Sequence, residues 1–256
     1  MKNLISNLLK NMGYTLTKTS NLHKAEVKKV QVIDNYESLV SIFYKNLQRS
    51  NFNPKFIIDI GANVGDWTRN FLNYFPNTNV LMVEPQERLK PRFQDLLDDQ
   101  VKYLAAGVGN QDGVLKFTLH ERDDSCSFVY SEEQAKELGL QQIEVPIKTI
   151  NSIIKENNFP VPDLIKIDAE GLDLEVLDGA SDIMGKTEII LVEATVCSSV
   201  YKNTMASVIK KMDENGYQVY EVTDLNRPFA DNPILWLIEL VFVKKDSFLL
   251  QHNLSV

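Results

Sequence analysis

The feature that most constrains this 256-residue chain is an alternation of short β-rich runs with helical segments, which begins near residue 55. KFIIDI at 55–60 is followed by DWTRNFLNYF at 66–75, whose aromatic side chains recur on one helical face, and then by NVLMVEP at 79–85. Strands joined through helices lie parallel in a sheet that is covered on both faces. The sequence therefore predicts an α/β fold.

The later runs extend this pattern. Further strands are predicted at 101–108, 113–119, 163–168, 188–194, 217–222 and 235–245. The last two have no helix between them, so they are expected to pair antiparallel. The polar stretch 120–142 is predicted to be a long loop. We expect one α/β domain over residues 51–256, preceded by a helical extension of residues 1–50.

A glycine turn follows the first predicted strand, in the sequence IIDIGANVGDWT. Gly61 and Gly65 allow a sharp backbone turn and the close approach of a ligand, and the helix behind them offers free amides to an anionic group. Asp59 precedes the turn. Glu84 ends the second strand, where nucleotide-binding βαβ folds place the acid that binds a ribose. The pattern predicts an adenosine-containing ligand.

Asn63 distinguishes between two classes of adenosine ligand. A dinucleotide site has the pattern G-x-G-x-x-G, whose second glycine lets the pyrophosphate contact the backbone, and Asn63 occupies that position here. Its amide can instead hydrogen-bond the carboxylate or amine of a methionyl group. S-adenosylmethionine is therefore the predicted cofactor, and a nucleotide-linked oxidoreductase of Rossmann type is the alternative.

Three acids are expected at the carboxyl ends of neighbouring strands. The sequence LIKIDAEG places Asp168 and Glu170 after one buried strand, and Glu193 ends the next. Ligands of doubly wound sheets bind outside these strand ends. We assign Asp168 mainly to the cofactor's amine and Glu170 to the methyl acceptor as a candidate base. Glu193 is expected to orient the acceptor or share its proton, and Gly171 leaves room for the acceptor to approach.

Other roles remain open for these positions. Asp168 and Glu193 could hold a divalent cation, which we do not favour, or the acids could simply cap helices and pair with Lys166 or Lys148. His120 is an alternative base with a near-neutral pKa. Ser125 and Ser127 lie in the polar loop, which could close over a sugar acceptor. Trp67 and Trp236 are predicted to be core residues.

Composition excludes several classes of protein. The formal net charge of −8 argues against nucleic acid as a partner. Cys126 and Cys197 have no metal-ligand or disulfide spacing, which favours a reducing, cytoplasmic setting. No run reaches the apolar length of a transmembrane helix. Residues 1–30 carry six lysines against one glutamate with helical apolar spacing. This segment is predicted to pack on the protein itself or on a second copy, and peripheral membrane contact is the alternative.

Several of these motifs together resemble the FkbM-type methyltransferase family. They are IIDIGANVGDWT, VLMVEP, AAGVGNQDGVLKF, IEVPIKTINSII, DLIKIDAEGLDLEVLDGA and EIILVEA, in that order between residues 55 and 195. The resemblance implies the seven-stranded, Rossmann-like class I methyltransferase fold, mostly parallel with an antiparallel last strand. It also implies S-adenosylmethionine-dependent transfer of a methyl group to a hydroxyl of a sugar, glycan or glycosylated metabolite.

The resemblance also assigns roles to individual residues. Asp59, Gly61, Asn63 and Gly65 would hold the amino-acid part of the cofactor, and Glu84 its ribose. Ala105 or Ala106 would flank the adenine. The acceptor would be a small molecule or glycan, and the protein could form a homo-oligomer. A member of the family that binds without catalysing remains the third hypothesis.

Overall fold

The structure is a computed structural model, and it describes residues 37–196, 201–227 and 234–251. The predicted basic helix within residues 1–30 and Cys197 lie outside the described residues. Residues 37–256 form one compact unit. The predicted division of the chain at residue 50 stays a prediction. In the described part of the chain, no helix combines the length and the apolar character needed to cross a bilayer.

The described chain contains ten strands in two sheets. They are β1 Phe56–Ile60, β2 Asn79–Val83, β3 Val101–Leu104, β4 Gly107–Val108, β5 Gly113–Leu119, β6 Gln141–Lys148, β7 Leu164–Ile167, β8 Ile189–Thr195, β9 Tyr217–Asn226 and β10 Leu237–Lys244. The larger sheet has the order β3-β2-β1-β7-β8-β10-β9, and the smaller has the order β4-β6-β5.

The predicted seven-stranded sheet is confirmed. Strands β3, β2, β1, β7 and β8 run parallel, and β10 is antiparallel to both of its neighbours, β8 and β9. The order in which strands are added to the sheet reverses between β1 and β7, because β2 and β3 lie on one side of β1 and the later strands on the other. This is the topological switch point at which open α/β sheets bind ligands.

Within the described residues, six α-helices connect the strands or cover the sheets. They are α1 Leu39–Arg49, α2 Asp66–Tyr74, α3 Glu132–Glu137, α4 Ile150–Asn157, α5 Asp173–Asp178 and α6 Met205–Glu214. The larger sheet is buried on both faces. On one face α1 packs Tyr44 against Trp67 and Phe71 of α2, and on the other Val176 and Val208 contact the strands. Phe71 is fully buried, as the recurrence of aromatic side chains on one face of this helix predicted.

Three local predictions need correction. The strand predicted at 101–108 is two strands in different sheets, because the backbone turns at Ala105 and Ala106. The helical segment that the alternating pattern predicts after β2 is a pair of 3-10 helices, Glu87–Arg92 and Gln94–Leu96, with Pro91 inside the first. Proline removes an amide donor and disfavours a regular α-helix. The predicted loop 120–142 contains α3, which Ser131 and Gln134 start with a capping box.

Candidate active site

A cavity of about 780 Å³ lies at the carboxyl ends of β1, β2, β7 and β8. Seven of the residues predicted for the site line it, namely Gly61, Asn63, Glu84, Ala106, Asp168, Glu170 and Glu193. Three others do not line it, namely Asp59, Gly65 and Ala105. Their predicted contacts with a cofactor stay predictions.

Gly61 holds three strand ends together. Its N–H and that of Ala62 donate to the carbonyl oxygen of Val83 at 2.9 and 3.1 Å, which ties the turn to the end of β2. Gly61 has φ +73°, and a Cβ there would overlap the carbonyl oxygen of Asp168. Glycine is therefore required for the packing of the turn against the end of β7, in addition to any contact with a ligand.

Gly65 has a packing role outside the cavity. It is the N-cap of α2 with φ +82°, and a Cβ there would crowd Leu96 and Phe93 of the short helices after β2. The absence of a side chain thus lets α2 begin close to that segment.

Glu84 is built into the turn by two backbone hydrogen bonds. It is 3% exposed, and its Oε2 and Oε1 accept the N–H groups of Asn63 and Gln86 at 2.8 and 2.9 Å. Burial raises the pKa of the Glu84 carboxyl, although both of these bonds favour the charged form. Asn63 has φ +47°, in the left-handed region that asparagine tolerates better than most residues. The carboxylate is therefore held rigidly at the cavity wall.

Asp59 and Asp168 flank the buried Lys166. Asp59 is fully buried, accepts the Thr68 hydroxyl at 2.6 Å and lies 3.9 Å from Lys166 Nζ. Asp168 accepts Lys166 Nζ at 2.9 Å. Burial disfavours the ammonium, but the charges of Asp168 and Asp59 outweigh this and raise the pKa of Lys166. Asp168 thus lines the cavity as one partner of an ion pair with Lys166. This pairing is the one named in the alternative interpretation, in which the acids pair with Lys166 or Lys148.

Glu170 occupies a strained turn at the mouth of β7. It has φ +52°, and Gly171 after it has φ +100°. A Cβ on Gly171 would overlap Val129, so this glycine also makes room for the loop that follows β5. Burial, followed by the charges of Asp168 and Glu193, raises the pKa of Glu170 well above its usual value. Left-handed backbone at a non-glycine residue is uncommon and tends to occur at functional sites.

Glu193 lies beside Glu239 on the neighbouring strand of the sheet. The two residues are register partners in β8 and β10, and Glu239 accepts a hydrogen bond from the Thr223 hydroxyl. Burial and the charge of Asp168 raise the pKa of Glu193 well above its usual value, and burial raises that of Glu239 to about 7. A second cavity, of about 630 Å³, is lined by Lys166, Asp168, Glu193 and Glu239. It shares the first three of these residues, together with Asp66 and Trp67, with the first cavity.

Asp173 and Asn203 were missed by the sequence analysis. Asp173 is 1% exposed, and its two oxygens accept the N–H of Ala169 at 2.9 Å and the Nδ2 of Asn203 at 2.7 Å. Burial raises the pKa of Asp173 to about 7. The aspartate in DAEGLD gave no clear signal, because an acid in the first turn of a helix is already explained by the helix dipole. The sequence contained no signal for Asn203, which reaches Asp173 across 30 positions.

The polar loop contributes to the cavity wall. His120, Ser125 and Ser127 line the cavity, and Ser127 pairs with Thr118 of β5 through backbone hydrogen bonds of 2.9 and 3.1 Å. Trp236 also lines the cavity and is only partly buried, so its predicted role as a core residue is wrong. Cys126 is buried beside His120 and accepts its N–H at 3.2 Å, in line with a structural thiol.

Several buried polar atoms in the cavity wall lack partners. Within the described ranges, four such atoms belong to lining residues, namely Trp67 Nε1, His120 Nε2, Ser127 Oγ and Asn203 Oδ1. Buried polar atoms are normally hydrogen-bonded, so a polar ligand or water is expected beside them. Over residues 37–196, 201–227 and 234–251, no group of three or more His, Cys, Asp or Glu side chains could hold a metal ion.

The sheet order and the position of the cavity define a class I methyltransferase fold. The family model described as the methyltransferase FkbM domain matches residues 59–219, and the chain belongs to that family.

Two curated relatives align with part of the chain. Methyltransferase 1 of Beauveria bassiana (strain ARSEF 2860) is 24% identical over 50% of this chain and 59% of its own length. The 2-O-methyltransferase NoeI of Sinorhizobium fredii (strain NBRC 101917 / NGR234) is 24% identical over 54% and 62%. The chain thus spans about three fifths of the length of these relatives.

A solved structure with a similar chain path is the 1,6-didemethyltoxoflavin-N1-methyltransferase of Burkholderia thailandensis, with bound 1,6-didemethyltoxoflavin and S-adenosylhomocysteine. It has a TM-score of 0.45 and 13% identity, and the match covers 84% of this chain and 82% of that one. At this TM-score the likeness adds nothing to the family assignment.

Proposed function

We propose that this protein transfers a methyl group from S-adenosylmethionine to a hydroxyl of a small-molecule or glycan acceptor. One observation carries the proposal. A single cavity at the topological switch point is lined by Glu84 at the end of β2 and by Glu170 and Glu193 near the ends of β7 and β8. Membership of the FkbM methyltransferase domain family supports the same reaction.

The residues near β1 and β2 fit the cofactor. Glu84 is held by backbone amides, and each of its carboxylate oxygens keeps a lone pair for a ribose hydroxyl. Asp168 lines the cavity beside Gly61 and can accept the α-amine of the cofactor. The cavity volume of about 780 Å³ is in the usual range for sites that bind ligands of this size. When bound, the cofactor would supply an electrophilic methyl group on a sulfonium.

Glu170 is proposed as the base. A carboxylate with a raised pKa is a stronger proton acceptor than an ordinary one. The acceptor oxygen would take up the methyl group that the cofactor supplies, with the thioether form of the cofactor as the leaving group. Glu170 would accept the hydroxyl proton. Positioning contributes much of such a displacement, and the partly buried wall favours a fixed geometry.

The cavity wall suits a polyhydroxylated acceptor. Ser127, His120 and Asn203 present polar atoms that have no partner among the described residues. Several hydroxyls of a sugar would satisfy them together. The relative NoeI is named a 2-O-methyltransferase, which agrees with methylation of a hydroxyl.

Calorimetry with S-adenosylmethionine, S-adenosylhomocysteine and NAD tests the cofactor part of the proposal. We expect the first two ligands to bind and NAD not to bind. Incubation with methyl-labelled cofactor and an extract of glycans and small metabolites, followed by mass spectrometry, then locates the transferred group. Binding of NAD alone would support the oxidoreductase alternative, and a methyl found only on nitrogen would refute O-methylation.

A further inference from the structure

Asn203 is a buried residue of the cavity wall that the transfer step does not use. It is 4% exposed, and its backbone carbonyl accepts the N–H of Thr195 at 3.0 Å. Its side-chain Nδ2 donates to Asp173, whereas its Oδ1 has no hydrogen-bond partner among the described residues. A buried acceptor without a donor is uncommon, and it points to a ligand that supplies one.

Asp173 determines which end of the Asn203 amide is left without a partner. Both oxygens of Asp173 act as acceptors, one for the N–H of Ala169 and the other for Asn203. An amide that faces such a carboxylate must present its NH₂ end. Asn203 lines the cavity and Asp173 does not, and the Oδ1 of Asn203 is the end of the amide that is turned away from Asp173. Asn203 therefore offers a hydrogen-bond acceptor with a fixed orientation.

The hydrogen bonds of Asn203 with Thr195 and Asp173 place it near Glu193. Thr195 follows Glu193 by two positions on β8, so both side chains lie on the same face of the sheet, and both line the cavity. No described residue donates a hydrogen bond to the Glu193 carboxylate. The nearby ammonium of Lys166 already contacts Asp168, Asp59 and the carbonyl of Gly61. This part of the wall is rich in hydrogen-bond acceptors, and the ammonium of Lys166 is shared among several carboxylates.

Aromatic rings complete this part of the wall. Tyr201 and Trp236 both line the cavity, with ring centroids 6.4 Å apart in an edge-to-face arrangement. A Cβ on Gly171 would lie 3.7 Å from the ring of Tyr201, so this ring lies beside the turn that carries Glu170. Aromatic faces combined with carboxylates attract organic cations.

We propose that Asn203 and Glu193, walled by Tyr201 and Trp236, form a subsite for an ammonium group of the methyl acceptor. This rests on the proposed function and specifies its substrate class as an amino-bearing alcohol or amino sugar. The ammonium would donate to Asn203 Oδ1 and offset the charge of Glu193, while Glu170 remains available to the hydroxyl. A phosphate, sulfate or carboxylate at this position would be repelled.

Three matched sugars test the subsite, namely methyl glucosaminide, methyl glucoside and methyl glucuronide, which carry an ammonium, a hydroxyl and a carboxylate. Their binding is measured by calorimetry on protein loaded with S-adenosylhomocysteine, so the cofactor's own amine site is filled. We expect the amino sugar to bind at least about tenfold more tightly than the neutral sugar, and the acidic sugar most weakly. Equal binding, or no binding of the amino sugar to loaded protein, would overturn the proposal.

The Asp173→Asn variant tests the orienting role of Asp173. The new amide lets the Asn203 side chain adopt either orientation, so the preference for the amino sugar should fall below about threefold while S-adenosylhomocysteine still binds. Asp178→Asn, the same change on the exposed side of α5, should keep the preference. A tenfold preference that survives in Asp173→Asn refutes the role of the amide. Failure of S-adenosylhomocysteine to bind the wild-type protein would instead refute the proposed function itself.

Discussion

The two walls of the cavity hold their carboxylates in different ways. On the wall formed by β1 and β2, Glu84 accepts two backbone amides, and Asp59 behind it accepts the Thr68 hydroxyl. On the wall formed by β7 and β8, no described residue donates a hydrogen bond to the Glu170 or Glu193 carboxylate. An acid that is hydrogen-bonded to the backbone suits ligand positioning. An acid whose pKa is raised by burial and by neighbouring carboxylates is instead suited to proton transfer.

The largest expected effect comes from Glu170→Gln. The proposed base would be lost while the shape is preserved, so turnover should fall about 10²- to 10⁴-fold. The affinity for S-adenosylmethionine should stay within about twofold, because the proposal assigns Glu170 to the acceptor and not to the cofactor. Single-turnover kinetics and calorimetry measure the two quantities. Glu144→Gln on β6 is the matched control, and an active Glu170→Gln variant would contradict the assigned role.

The turn that links the two walls is tested by Gly61→Ala. A Cβ at this position meets the backbone of Asp168 in addition to its unfavourable positive φ, so the free energy of unfolding should drop by roughly 3 kcal/mol or more. Gly139→Ala has a similar φ of +68° with open space around it, so the loss there should be about 1 kcal/mol. Urea unfolding compares the two, and equal losses would show that the close approach to β7 has no energetic importance.

Glu84→Gln tests the opposite wall. The variant keeps one carbonyl oxygen for a backbone amide but loses the second acceptor and the charge that would hold a ribose. We expect about 10- to 100-fold weaker binding of S-adenosylmethionine and a smaller change in the turnover of the saturated enzyme. A variant that binds normally but turns over slowly would reverse the roles assigned to the two walls.

The smallest expected effect is the pH dependence that Asp173 confers on stability. Its folded pKa of about 7 exceeds the ordinary value of 3.8, so its contribution to stability is fully present below pH 4 and is lost as pH rises through 7. Asp173→Asn removes this loss, and a turned Asn203 amide can accept from the new group. Between pH 5 and 8 the variant should gain roughly 1–3 kcal/mol relative to wild type. A constant difference in urea unfolding would refute the assigned pKa.

The sequence supported some parts of the site better than others. Glu84, Asp168 and Glu170 follow strands that their own apolar residues define, so their arrival at one cavity followed from the parallel sheet. The break of the third strand at Ala105 was missed, because GVLKFTL and IEVPIK take Gly107 and Val108 into the second sheet through non-local pairing. The Asp173 and Asn203 contact was missed for the same reason, since local periodicity carries no information on pairs so far apart.

The sequence by itself determined the alternating architecture, the glycine turn and the acids at the strand ends. Each of these is recorded in short-range spacing, which the backbone periods of helix and strand make readable. Only the tertiary structure decided that Lys166 pairs with Asp168, that Gly61 is required for contact with β7, and which end of the Asn203 amide faces Asp173. These properties depend on burial and on partners brought together by folding, and neither is local in sequence.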